Sequence, residues 1–202
     1  PCHQKQVENI TKHSFHKQKK ESPHCISCHM PKTQFARMKR TDHSMRPPVP
    51  LATLKYKSPN ACNLCHNRKD ADWAQKKVVA WGKIDRQKQY LQLADFVDQA
   101  RQENWQNLDQ ILTYIQSEDR DEIFTGSLIR LLRVCNSHKK WPVLIKILKN
   151  DPSPLVRAAA AQALNGYKTN ESLLALLRAT KDEYRLVRVR SAECMASISP
   201  EQ

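Results

Sequence analysis

Cysteine and histidine recur here at a fixed spacing, and that recurrence limits what the first third of the chain can fold around. Residues 23–31 read PHCISCHMP and residues 60–66 read NACNLCH. Cys25 and Cys28, and again Cys62 and Cys65, therefore bracket two residues, with His29 or His66 following at once. The opening Pro1-Cys2-His3 reads as the end of a third copy, C-x-P-C-H, whose first cysteine would precede residue 1. Such pairs serve zinc sites, iron–sulfur clusters, disulfides or covalent haem. Zinc pairs commonly stand about 15 to 20 residues apart, whereas 33 residues separate Cys28 from Cys62. A disulfide framework requires neither the fixed gap nor the histidine. Covalent haem requires both: two thiols take the two porphyrin vinyl groups, and the next residue turns its imidazole onto the iron.

Composition makes the same point. The 202 residues carry a net charge of +14, and residues 1–69 hold fourteen Lys and Arg against only Glu8, Glu21 and Asp42. Apolar residues in that third stand mostly alone, too few for a core. A disordered basic tail or a nucleic-acid-binding segment would explain the charge. Neither explains five cysteines and seven histidines within the first 66 residues. A coreless segment dense in Cys and His is expected to fold around what it ligates, and the Lys and Arg excess then offsets haem propionates. No nucleic-acid partner is expected. No run of 18 apolar residues predicts a transmembrane helix. A chain that begins with Pro rather than Met is expected to be part of a longer one, so a missing leader segment is uninformative.

Each haem held by Cys2 and His3, by Cys25, Cys28 and His29, or by Cys62, Cys65 and His66 has a second axial position. His13, His16, His24 and His43 are the histidines of this segment outside the motifs. On a helix His13 and His16, three apart, would share a face; one iron takes one distal ligand, so they are expected to serve two irons. His43 precedes a proline-rich run that fixes an extended path. The bland alternative for any of the four is a surface histidine, most of all for His24 beside Cys25. Met30, Met38 and Met45 are weaker candidates, Met38 and Met45 being expected to pack on porphyrin. An iron with two histidines has no open site and carries electrons.

Past His66 the pattern becomes helical. Trp73, Val78 and Trp81, then Leu91, Leu93, Ala94, Val97 and Ala100, recur at three- and four-residue steps. Residues 151–157 (DPSPLVR) align with 182–188 (DEYRLVR) at a shift of 31 and with 119–125 at a shift of 32. Three copies of one helical hairpin are predicted, with first helices at 105–116, 141–149 and 172–180. Such hairpins bury their apolar faces by stacking into an α-solenoid. Cys135 and Cys194 are expected as core cysteines. The expected fold is all-α: a haem-organised segment with little regular structure over 1–70, linking helices over 71–104, and HEAT-like helical repeats over 105–202.

CxxCHMP at 25–31, Asp42-His43-Ser44 before prolines, PNACNLCH at 59–66 and the Trp-bearing helices resemble exported bacterial multihaem c-type cytochromes with TPR or HEAT-like repeats. Residues 151–164 are similar to a HEAT repeat in its D-x-x-P-x-V-R-x-A-A form. The resemblance implies distal roles for His13, His16 and His43 and a periplasmic or extracellular location; the motifs give three haem c groups contacted by this chain, and members of that family usually have further haem motifs upstream. It implies electron transfer to redox partners or to further copies of the cytochrome, with the repeats docking a partner or building a homo-oligomer or filament. The alternative is a multihaem reductase of small nitrogen or sulfur oxyanions with one open haem site.

Overall fold

A computed structural model of the chain describes residues 4–17, 25–82 and 84–196. Cys2, His3 and His24 lie outside them. Thirteen α-helices and one two-stranded sheet appear among the described residues. It divides into two compact units, residues 1–92 and 93–202.

The first unit is built of short pieces: α1 (Gln4–Glu8), α2 (Ile10–Ser14), α3 (Cys25–His29), β1 (Lys32–Phe35), β2 (Met38–Thr41), α4 (Pro50–Tyr56), α5 (Ala61–Cys65) and α6 (Ala71–Ala80). Local chemistry sets the ends. Pro50 opens α4, where its missing N–H costs nothing. Asn60 and Asp70 cap α5 and α6, their side chains accepting from Asn63 N and Trp73 N. The hairpin pairs Lys32 with Thr41 through Phe35 with Met38. Its turn places Ala36 at φ 52°, a region glycine usually occupies. This small hairpin is the one sheet described in an otherwise all-α chain, as expected. Buried apolar side chains described in this unit are few: Ala61, Ala74 and Val78, with Pro50.

Helix α7 (Ile84–Arg101) spans the division between the units. The second unit stacks three hairpins: α8 (Leu108–Tyr114) with α9 (Glu122–Leu131), α10 (Lys140–Asn150) with α11 (Pro154–Ala163), and α12 (Asn170–Ala179) with α13 (Arg185–Ala196). These are the three repeats legible in the sequence, although the first opens at Leu108 rather than Trp105, which precedes the helix and packs half-buried against the core. Helix α11 packs on α9, α10 and α13; its Ala158, Ala159, Ala160, Ala161 and Ala163 are all buried, and small side chains let those helices approach closely. Ile111, Leu128, Ile129, Leu144, Val156 and Val187 complete one continuous core.

Polar bonds tie each repeat to the next. Arg120 pairs with Asp151, and Arg157 makes a two-pronged contact with Asp182, Nε and Nη2 each donating at 2.9 Å. That hydrogen bond is the main reason the Asp182 carboxyl is held below its usual range. Lys140 is buried, its ammonium donating to the carbonyls of Leu132 and Arg133. Cys135 and Cys194 are buried thiols, the Cys194 thiol donating to Ala161 O at 3.1 Å.

Candidate haem-binding site

Each intact motif folds as a single helical turn, α3 or α5, and the two turns pack on each other. The four thiols are thereby gathered. Burial first, then negative charge on Cys65 and Cys25, pushes the Cys28 thiol up; burial first, then charge on Cys28 and Cys65, does the same to Cys62. Cys25 and Cys65 are exposed, and Cys28 and Cys62 half-buried.

Two of the three expected distal histidines face motif histidines. The rings of His13 and His29 lie 6.0 Å apart, centre to centre, with their planes 12° apart; those of His16 and His66 lie 6.1 Å apart at 29°. Direct ring stacking in this same chain is closer: Trp141 on Tyr167 at 4.2 Å and Phe15 on Trp81 at 4.7 Å. The histidine pairs leave a gap. With metal–nitrogen bonds of about 2.0 Å and about 1.2 Å from ring centre to nitrogen, two imidazoles on opposite sides of one metal ion have centres about 6.4 Å apart. The observed spacings fit an iron between each pair. Among the described residues no three of His, Cys, Asp and Glu converge on one point; pairs are what a porphyrin-held iron needs, because the macrocycle fills its other four positions.

His13 and His16, the two expected distal histidines, do not share a helix, contrary to the periodic reading. Helix α2 ends at Ser14, and Phe15 turns left-handed at φ 57°, a conformation unusual for a bulky residue. That break sends His13 and His16 to different partners. His16 Nδ1 lies 2.6 Å from Ser14 O; a carbonyl only accepts, so Nδ1 is the donor of this bond. An open cavity of about 470 Å³ beside His13 is lined by Lys5, Gln6, Asn9, Lys12, His13 and Phe15. His43 belongs to neither pair and is exposed after β2, where Asp42 Oδ1 accepts from Ser44 N. Met38 and Met45 are exposed.

Sequence reasoning treated Trp73 and Trp81 only as helix-face residues. In the structure the Trp73 ring lies 4.8 Å from that of His66, tilted 54°, and Trp81 stacks on Phe15. The N-cap residues Asn60 and Asp70, flanking the second motif, were the available signal.

Residues 7–118 match the Cytochrome c552 family model, and residues 141–202 match the HEAT repeats model. No curated protein and no solved structure matches the chain. The chemistry that the first match carries is c-type haem electron transfer or nitrite reduction. With that match covering more than half of its length, the chain belongs to the Cytochrome c552 family of c-type cytochromes and carries HEAT repeats in its C-terminal region.

Proposed function

We propose that this chain is an electron-transfer segment in which each haem is held by two thiols and two histidines. The observation that carries the reading is the pair of ring spacings, 6.0 Å for His13 with His29 and 6.1 Å for His16 with His66. Cys25 and Cys28 anchor the first group, and Cys62 and Cys65 the second. Cys2 and His3 would hold a third, for which His43 is the distal candidate. When bound, haem c supplies one-electron iron redox chemistry. His13 with His29 and His16 with His66 would hold the iron of each group and keep water and small oxyanions from it. The packing of α3 on α5 keeps the two attachment points adjacent. Lysine and arginine of the first unit offset the propionate charge, and the repeats supply a docking surface for a redox partner or another copy, in a periplasmic or extracellular setting.

Replacing His13 or His16 by alanine tests the reading directly. Each variant should keep its haem covalently attached, by intact mass, while converting one iron from low to high spin. An unchanged spectrum for either variant sinks the assignment of that residue. A second reading, reduction of nitrite or a related oxyanion, is favoured by the family's chemistry. It requires one iron with an open position, and a Soret shift of the native protein with nitrite or cyanide would decide for it.

A further inference from the structure

Helix α6 meets His66 at its start and, just past its end, Phe15, the residue before His16. Trp73 lies against the His66 ring, and Trp81 stacks on Phe15. The two tryptophans are eight residues apart, about 12 Å along a helix at 1.5 Å per residue. That length reaches past both imidazoles of the pair.

The start of α6 is itself fixed by the second motif. Asn60 Oδ1 accepts from Asn63 N, and Asn60 Nδ2 donates to Asn63 Oδ1 at 2.7 Å. Asn63 Nδ2 in turn donates to the carbonyls of Lys69 and Asp70. Asp70 caps α6 by accepting from Trp73 N at 2.8 Å. Between them, His66 N donates to Cys62 O and His66 O accepts from Lys69 N. A closed chain of bonds thus runs from the middle of C-N-L-C to the indole that faces the motif's own histidine. In the first motif the position of Asn63 is held by Ile26, 59% exposed, whose side chain can donate nothing.

We propose that α6 is a splint for the axial ligands of the second motif: Trp73 sets the ring plane of His66, and Trp81, through the left-handed Phe15, sets that of His16. The inference rests on the reading of His16 and His66 as ligands to one iron. The splint fixes the angle between the imidazole planes, 29° here. That angle has an electronic consequence, because two parallel imidazoles donate into the same iron d orbital and split the d levels, whereas crossed ones equalise them. The g-values of a low-spin ferric haem report that splitting.

The test is low-temperature electron paramagnetic resonance of the ferric holoprotein, with haem count by mass. His16→Ala first identifies the low-spin signal of the second haem by converting it to high spin. Trp73→Leu and Trp81→Leu should each shift the g-values of that same signal and leave the His13–His29 signal in place. Trp73→Phe, which keeps an aromatic edge against His66, should restore the native values. Asn63→Ala, which leaves both tryptophans in place, should broaden the signal. Native g-values in both leucine variants, or equal shifts in both haem signals, overturn the splint. If His16→Ala changes no low-spin signal, the axial assignment itself has failed, and the splint falls with it.

Discussion

The two units solve the burial problem in opposite ways. Residues 93–202 bury a continuous set of leucines, isoleucines and alanines across three stacked hairpins, and each hairpin supplies the apolar face its neighbour needs. The first unit has almost none of this. Its described apolar side chains include the exposed Ile26, Met38, Met45, Leu54 and Leu64, and its helices are mostly one to two turns long, too short to persist on propensity alone. Length and hydrophobicity hold the repeats, while the first unit awaits apolar surface that its sequence does not carry. On the proposed reading, the macrocycles are that surface.

The sharpest way to break the comparison is to remove the macrocycles. Replacing Cys25, Cys28, Cys62 and Cys65 together by alanine should abolish amide exchange protection in the first unit and preserve it in the repeats. Retained protection over residues 25–80 would mean the first unit has a sufficient core of its own. The converse experiment targets Leu144, fully buried in the repeat core. Leu144→Ala should cost the second unit about 3 kcal/mol, read as a lower unfolding midpoint by circular dichroism, with an unchanged visible spectrum. Spectral loss at that midpoint would show the units to be energetically coupled.

A smaller effect isolates the polar links between repeats. Asp182→Asn should cost about 2 kcal/mol by weakening two charge-assisted bonds from Arg157. The sign of the pH dependence follows from the depressed Asp182 carboxyl. Its contribution is present above the ordinary carboxylate value, about 3.9, and is lost as pH falls through the lower folded value. Acid titration of the native and Asp182→Asn proteins should therefore converge at low pH; parallel curves would assign the stability elsewhere. Smallest of all, Lys57 closes α4 in the left-handed region at φ 56°. Lys57→Gly should stabilise the first unit slightly, by about 0.5 kcal/mol, read as a higher melting midpoint, and a loss would place the lysine side chain in a needed contact.

What the sequence made legible follows from how local each signal is. C-x-x-C-H is legible because its five residues are consecutive and fold as one helical turn, and the repeats declare themselves because their copies can be compared. The hairpin at 32–41 escaped because its two turn residues, Ala36 and Arg37, include none of the Gly, Asn or Asp that signal such turns. The pairing of His13 with His29 and of His16 with His66 escaped for a different reason. It depends on a left-handed phenylalanine between His13 and His16, and periodicity places no break there. Trp73 and Trp81 read as helix-face residues because only the folded chain brings them against His66 and Phe15.

Burial also sorts the six described cysteines by chemical reactivity. The four in C-x-x-C pairs are exposed or half-buried, while Cys135 and Cys194 are closed inside the repeats, 2% and 5% accessible. A thiol must be reached before it can add to a vinyl group, be oxidised or be alkylated. Once folded, the repeats withhold their two thiols from all three.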